Sequence, residues 1–144
     1  PNSLLLDNAL ATMGAGVPSA IAATLLRPDC TVVSVTGDGG FMMNSQELET
    51  AVRLKLHLII VLLVDSGYGM IKWKQAADGF PAFGLDYGNP DFVAYAESYG
   101  ATGYKVTTAD DLAAQLATAR DAGSGVHVIV TPIDYTDNQA MFGA

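Results

Sequence analysis

The chain has 144 residues, half of them apolar, and its 15 acidic residues against 7 lysines and arginines give a formal net charge of −8. This length predicts one domain, and the excess of acids argues against nucleic-acid binding. The single cysteine, Cys30, excludes an internal disulfide and predicts a buried or idle thiol. No apolar run is long enough to cross a bilayer and the first residues lack a basic signal segment, so we expect a cytoplasmic protein without membrane contact.

The first third of the chain predicts two helices with a strand between them. Apolar periodicity indicates a helix over residues 17–26, and a β-branched run at residues 31–36 indicates a strand that stops at glycine. Asn44 is placed to cap a second helix over residues 44–55. Glu47, three positions later, completes a capping box, so this helix is expected to begin at Asn44.

The middle of the chain predicts a buried strand, then a loop and a short helix, and then a further capped helix. Residues 57–64 form a continuous apolar run, which is typical of a parallel strand buried on both faces. Residues 76–88 show no periodicity, and loops of this length are often functional lids. Asn89 as cap and Pro90 at the first helical position then predict a helix that ends at Gly100.

The last part of the chain repeats the alternation of strand and helix. Residues 101–106 and 126–131 read as strands, and Thr108 with Asp111 forms a capping box for the helix between them, which runs to Ala122. Helices that alternate with strands predict right-handed crossovers and a parallel sheet. We therefore expect an α/β fold: a doubly wound, mostly parallel sheet with helices on both faces, in one domain over residues 1–144.

Two acidic residues follow the first two predicted strands, each within a glycine-rich loop. Asp38 follows the first strand and Asp65 follows the second. Parallel strands present their carboxyl ends at one edge of the sheet, so both carboxylates are expected there. Such a pair favours Mg²⁺ or Ca²⁺, and the helix predicted to begin at Asn44 would offer an anion site beside Asp38. A metal beside an anion predicts a Mg²⁺-bridged diphosphate. The surrounding glycines would let a ligand approach the backbone: Gly37, Gly39, Gly40, Gly67 and Gly69.

Other interpretations of these loops stay open at this point. Asp-Gly pairs after strands are common turns without any ligand. A receiver-type signalling module also binds Mg²⁺ at strand ends, but it needs an acid pair at its first strand and a lysine after a later one, and Asp38 stands alone. The first glycine loop, ATMGAGVPSA, resembles a dinucleotide fingerprint but lacks a clear preceding strand and the later acid.

Several segments together resemble the thiamine diphosphate-dependent decarboxylase and synthase superfamily, and most of all its acetolactate synthases of the large-subunit or catabolic type. The segments that carry the resemblance are ATMGAGVPSAIAA, GDGGFMMNSQELETAVRL, YGMIKWKQ, NPDFVAYAESYGA and PIDYTDN. They cover nearly the whole chain. The superfamily's motif begins with GDG and ends in a paired asparagine or a variant of it after one helix and one strand, which is the arrangement that joins Asp38 to Asp65.

The resemblance implies the cofactors Mg²⁺ and thiamine diphosphate. Asp38 and Asp65 would hold the metal through their side chains, and Gly67 through its carbonyl. The resemblance also implies two residues with catalytic roles: Met13 would support the bent shape of the cofactor, and Met70 would line the substrate side. The implied cofactor-binding residues are Ala11, Met13, Gly37, Asp38, Gly39, Gly40, Asn44, Asp65, Gly67, Tyr68, Gly69 and Met70.

The chain departs from the pattern in several places. Asp65 replaces the usual asparagine, a variant that catabolic acetolactate synthases share, and Ser66 replaces the second one. Trp73 and Lys74 do not match the aromatic position of biosynthetic enzymes, which leaves the acceptor substrate open. The implied substrates are pyruvate and a second 2-oxo acid.

No segment resembles the pyrimidine-binding domain, which in this superfamily comes from a neighbouring subunit and supplies an activating glutamate. We therefore expect the C-terminal domain of a longer, homodimeric or homotetrameric enzyme, inactive by itself. Another 2-oxo acid decarboxylase, or a cofactor-binding domain without its own activity, is the alternative.

Overall fold

The computed structural model describes residues 4–6 and 10–135. Helices and strands alternate along the chain, as the sequence predicts. The elements, in chain order, are α1 Gly16–Leu26, β1 Val32–Gly37, α2 Asp38–Met43, α3 Glu47–Arg53, β2 Leu58–Val64, α4 Gly69–Ala77, α5 Phe92–Ser98, β3 Thr102–Lys105, α6 Ala109–Asp121 and β4 Val126–Pro132. The last three residues of the PIDYTDN segment lie outside the described residues.

The strands form one parallel sheet in the order β1-β2-β4-β3. Neighbouring strands are in close register, with Val32 opposite Leu58 in one pair and Leu58 opposite Val126 in the next. The central position of β2 explains its continuous apolar sequence. The strand is paired with β1 on one side and β4 on the other, and apolar clusters cover both of its faces. The expected α/β fold is confirmed.

Helices cover the two faces of the sheet through two separate apolar clusters. Leu58, Ile60 and Leu62 of β2 face a large cluster with residues of α1, α2, α3 and α5. Ile59 of β2 and Ile129 of β4 face a smaller cluster closed by α6. Each fully buried leucine or isoleucine contributes roughly 1.5–3 kcal/mol. The alternation along one strand therefore fixes its register between the two helical layers.

Some predicted helix starts are wrong, and both errors involve an asparagine. α2 begins at Asp38, directly after β1, and Asn44 is its C-terminal cap, so Asn44 starts no helix and forms no capping box. α5 is capped by Asp91, whose side chain accepts hydrogen bonds from Val93 and Ala94. The Asn89-Pro90 pair precedes that helix and does not begin it.

The remaining local predictions have different outcomes. The capping box of Thr108 and Asp111 is present at the start of α6. The Cys30 thiol is exposed and not buried, and it accepts a hydrogen bond from Arg27 at 3.2 Å. None of the helices in the described residues is both long and apolar enough to span a membrane.

Candidate functional site

Two aspartates follow neighbouring strands at one edge of the sheet. Asp38 follows β1 as the first residue of α2, and Asp65 follows β2. Gly37 pairs with Leu63, so the two strands end almost level. The two strands are therefore neighbours, and their carboxyl ends lie at one edge of the sheet. This carboxyl edge is where open parallel sheets bind their ligands.

The Asp38 carboxylate is buried, with 1% of the residue exposed, and it accepts four hydrogen bonds. Its Oδ1 accepts from the N–H of Gly39 at 2.8 Å and from the hydroxyl of Tyr87 at 2.7 Å. Its Oδ2 accepts from the N–H of Ser66 at 2.8 Å and from the amide Nδ2 of Asn89 at 2.6 Å. Burial alone would raise the pKa of Asp38, but these hydrogen bonds to the charged form outweigh it and lower the pKa.

Asp65 opens the acid loop, residues 65–68, and its pKa shifts in the opposite direction. Burial raises the pKa of Asp65, and the negative charge of Asp38 raises it further. No ion pair within the described part of the chain involves either acid. A backbone hydrogen bond from Gly67 opposes this rise in pKa only in part, so the charge of Asp65 is incompletely compensated. A Cβ on Gly69 would lie 2.7 Å from Asp65 Oδ2, so this glycine leaves the carboxylate its room.

A second segment, which we call the strap (residues 84–89), lies against the acid loop. The N–H of Tyr68 donates to the carbonyl of Leu85 at 2.9 Å. Gly67 and Asp86 form an isolated antiparallel bridge between the two segments. All of the strap except Asn89 belongs to the long loop that the sequence singles out as a functional candidate. It brings two side chains, those of Tyr87 and Asn89, onto Asp38.

Three side chains converge on the space beside Gly39. A Cβ at this position would lie 2.7 Å from the Tyr87 hydroxyl, 3.0 Å from the Tyr68 ring and 3.2 Å from the methyl carbon of Met13. The centroids of the two tyrosine rings are 4.9 Å apart. Gly39 is therefore required here for close approach, and the structure brings together Met13, Tyr68 and Gly39, which the sequence assigns to one site.

An open cleft of about 1250 Å³ runs along this edge, and every predicted cofactor-binding residue except Asn44 lines it. Asn44 lies beside the cleft and donates its Nδ2 to the carbonyl of Gly14 at 3.0 Å, which ties α2 to the loop before α1. Ala11, in that loop, has a positive φ of 47°. Met70 lies in the first turn of α4 and is 65% exposed.

Residues 1–131 match a family model described as "Thiamine pyrophosphate enzyme, C-terminal TPP binding domain". The chain belongs to this thiamine pyrophosphate (thiamine diphosphate) enzyme family. The match covers Asp38, Asp65 and the strap, which lie at the edge of the sheet that we call the acid edge. Among the described residues, no group of three or more His, Cys, Asp or Glu comes together at this edge or elsewhere to hold a metal.

Relatives of this thiamine pyrophosphate enzyme domain include acetolactate synthases. The chain is 44% identical over 138 residues to an acetolactate synthase of Bacillus subtilis (strain 168), covering 96% of this chain and 24% of the relative. It is 41% identical over 140 residues to a catabolic acetolactate synthase of Raoultella terrigena, covering 97% of this chain and 25% of the relative. The chain therefore spans about a quarter of the length of these relatives.

A solved structure with a similar fold is benzoylformate decarboxylase from Polynucleobacter necessarius, with a TM-score of 0.81 and 32% identity. The superposition covers 87% of this chain and 24% of that chain. The thiamine pyrophosphate enzyme domain and this neighbour share the parallel sheet that positions the acid edge.

Sequence reasoning missed two residues of the site, Tyr87 and Asn89. No local pattern marks Tyr87, and the Asn89-Pro90 pair gives a plausible but wrong cap signal. Their partner Asp38 lies 49 and 51 positions away in the chain. One feature of the sequence, Ser66, could have drawn attention to this part of the site. It stands where the resembled motif has its second asparagine, and its φ of 58° lies in the left-handed region that asparagine adopts more readily than serine.

Proposed function

We propose that this chain holds the Mg²⁺-diphosphate end of thiamine diphosphate in an acetolactate synthase-like enzyme. That enzyme would decarboxylate pyruvate and transfer the two-carbon unit to a second 2-oxo acid. The observation that carries the proposal is the pair of carboxylates at level strand ends, where burial and the charge of Asp38 together raise the pKa of Asp65. A divalent cation between them would remove this repulsion.

The donor set fits Mg²⁺. The ligands would be one oxygen each from Asp38 and Asp65 and the carbonyl oxygen of Gly67, a set of hard oxygen atoms that suits this ion. Mg²⁺ completes its octahedron with water and phosphate oxygens, so three protein ligands leave room for a diphosphate. The close glycines support the fit, since side chains at Gly39 and Gly69 would fill the space beside the two acids.

Bound thiamine diphosphate would supply the electron sink on which a 2-oxo acid loses carbon dioxide. This chain's residues would bind and orient it. Met13 and Tyr68 lie against Gly39 and would give the cofactor an apolar wall that excludes water. Met70, exposed at the start of α4, is proposed to face the substrate. Ala11 is proposed to offer its carbonyl to the aminopyrimidine ring.

The relatives' names favour the acetolactate synthase reaction, because two proteins so named share 41–44% identity with nearly the whole chain. A second candidate is simple decarboxylation of a 2-oxo acid, favoured by the structural likeness to benzoylformate decarboxylase. Product analysis discriminates between the two: pyruvate would give acetolactate in the first case and an aldehyde in the second.

We also propose that a pyrimidine-binding domain from a neighbouring subunit completes the site, in a homodimer or homotetramer. The chain alone would then bind the diphosphate weakly and turn over no pyruvate, because the activating glutamate is contributed by that domain. Turnover by the purified 144-residue chain on the order of 1–10³ per second would contradict this part of the proposal.

Calorimetry tests the binding part of the proposal. Thiamine diphosphate should bind only when Mg²⁺ is present, and thiamine should bind far more weakly because it lacks the diphosphate. Asp38→Asn and Asp65→Asn should each abolish the Mg²⁺-dependent binding. Asp121→Asn is the matched control, because this exposed acid on α6 has its partner Arg120 far from the acid edge. Undiminished binding in both acid-edge variants would refute the metal site.

A further inference from the structure

The Tyr87 hydroxyl lies between two oxygen atoms that the proposed metal site requires. It donates to Asp38 Oδ1 at 2.7 Å and also lies 3.1 Å from the carbonyl oxygen of Gly67. Mg²⁺ holds its oxygen ligands at about 2.0–2.1 Å. The Tyr87 hydroxyl now contacts both oxygens. A cation that bound the same two oxygens would therefore compete with this hydroxyl for the same space.

The hydrogen bonds of Asp38 indicate the same competition. An ionised carboxylate offers about four acceptor positions, and four donors already use them. A cation that binds this carboxylate must displace one donor. The N–H groups of Gly39 and Ser66 belong to the backbone and cannot leave without unfolding α2 or the acid loop. That leaves the side chains of Tyr87 and Asn89.

Of these two side chains, Tyr87 is the one placed to compete with a metal. The Asn89 amide contacts Asp38 Oδ2 and the Ser66 hydroxyl, at 2.6 and 3.2 Å, and does not reach Gly67. The Tyr87 hydroxyl alone contacts both proposed ligands. Asn89 Oδ1 is buried and has no partner within the described residues, so it offers an acceptor to a water molecule carried by the cation.

We infer that the Tyr87 hydroxyl occupies the cation position in the metal-free protein and that metal binding displaces it. The strap would then act as a competitor that lowers the affinity of the site for its metal. This inference rests on the proposed function of the acid edge. The Tyr87 hydroxyl gives Asp38 its fourth hydrogen bond when no metal is bound, and an unfilled acceptor position on a buried carboxylate is costly. The same hydrogen bond must be given up when the metal enters.

The structure leaves the strap room to release this side chain. Gly84, at the start of the strap, has a positive φ of 67°, and a Cβ on Gly84 or Gly88 would meet no other atom within 4 Å. The Lys72–Asp86 ion pair, 3.0 Å long, joins the strap to α4, but both side chains are exposed and the pair is weak. Tyr87 itself is half-buried, so its hydroxyl can move toward solvent.

The test compares Mg²⁺ affinity in the presence of saturating thiamine diphosphate, measured by calorimetry, for the unmodified protein and two variants. Tyr87→Phe removes the competing hydroxyl and keeps the ring that packs on Tyr68. It should bind Mg²⁺ about five-fold more tightly, the factor that corresponds to one ordinary hydrogen bond lost by the metal-free state. Tyr104→Phe is the control, because it removes a hydroxyl whose partner is His127, away from the site, and its affinity should not change.

A second measurement follows the displacement directly. With 3-fluorotyrosine incorporated, the ¹⁹F resonance that is missing in Tyr87→Phe should shift when Mg²⁺ and thiamine diphosphate are added. Equal or weaker Mg²⁺ affinity in Tyr87→Phe, or a resonance that does not move, would overturn the inference while leaving the metal site in place. If the unmodified protein and Tyr87→Phe both fail to bind Mg²⁺ with the cofactor, the proposed function fails and this inference fails with it.

Discussion

Neutralising either aspartate should affect the stability of the metal-free protein, and the two effects should have opposite signs. Asp38→Asn replaces one carboxylate oxygen by an NH₂ group without changing the shape of the side chain. Each oxygen of Asp38 accepts two hydrogen bonds, so in either orientation the new NH₂ group faces two donors. Asp65→Asn instead removes a charge whose ionisation is opposed by burial and by Asp38.

The size of the Asp38 effect follows from its hydrogen bonds. Two bonds to a charged acceptor are lost, at about 1.5–3 kcal/mol each. Rotation of the Asn89 amide would recover part of this, because its unpartnered Oδ1 could accept from the new NH₂ group. We expect a net loss of about 2–4 kcal/mol in the free energy of unfolding, or a midpoint lower by ~6–12 °C. Asp65→Asn should raise the midpoint of the metal-free protein.

The dependence on pH provides an independent check of the same reasoning. The folded-state pKa of Asp38 is lowered, so its stabilisation is present above the unfolded pKa of about 3.9 and is lost as pH falls through the folded value. The folded-state pKa of Asp65 is raised, so its ionisation destabilises the protein as pH rises through that value. Asp38→Asn should therefore lack the loss of stability at low pH that Asp38 causes. Asp65→Asn should lack the loss of stability with rising pH that Asp65 causes.

Thermal unfolding followed by circular dichroism, in chelator at pH 3 to 8, measures both effects. Asp121→Asn serves again as the control and should leave the free energy of unfolding within about 0.5 kcal/mol of that of the parent. An Asp38→Asn midpoint equal to that of the parent would show that the four hydrogen bonds do not form in solution. A lower midpoint for Asp65→Asn would show that the backbone hydrogen bond from Gly67 outweighs burial and the charge of Asp38, contrary to the reasoning here.

Three further outcomes are expected. Gly37→Ala should leave the unfolding midpoint unchanged, because its Cβ meets no atom within 4 Å, but it should weaken Mg²⁺–thiamine diphosphate binding at least ten-fold by calorimetry if the cofactor lies there. Met13→Ala in the complete enzyme should lower turnover more than cofactor affinity, whereas Met13→Leu should be mild, and large equal stability losses in both would indicate core packing instead. Thr108→Ala should cost ~1 kcal/mol in chemical denaturation by removing the α6 capping box, and should leave cofactor affinity unchanged.

The sequence predicts the parts of the fold that depend on local patterns. The unbroken apolar run of β2 predicts a strand covered on both faces. The structure places this strand inside the sheet, paired with β1 on one side and β4 on the other. The capping box at Thr108 is equally local, because its two hydrogen bonds join residues three positions apart. The positions of Asp38 and Asp65 follow from these strands. Adjacent strand ends were enough to bring the two acids to one edge.

The errors arise where a distant contact decides the role of a side chain. Asn44 and Asn89 both have the sequence context of helix caps, yet each donates its amide to a segment far away in the chain, to the Gly14 carbonyl and to Asp38. In both cases the side chain binds a buried acceptor far away in the chain and does not cap a helix, and the local sequence does not reveal that acceptor. Tyr87 gives no signal at all, since its importance depends on how the strap folds against the acid loop.

In the proposed metal site, the two acids would contribute in different ways, Asp38 through its fixed position and Asp65 through its charge. Asp38 is fixed by four donors and stays ionised, so its position is set before any cation arrives. Asp65 has too few donors to balance its burial and the charge of Asp38, so its ionisation is disfavoured until a cation arrives. The protein can tolerate one such incompletely compensated acid because Asp65 is only partly buried. If both acids were fully satisfied, a cation would have little electrostatic reason to bind. If neither were, the metal-free edge would not hold its shape.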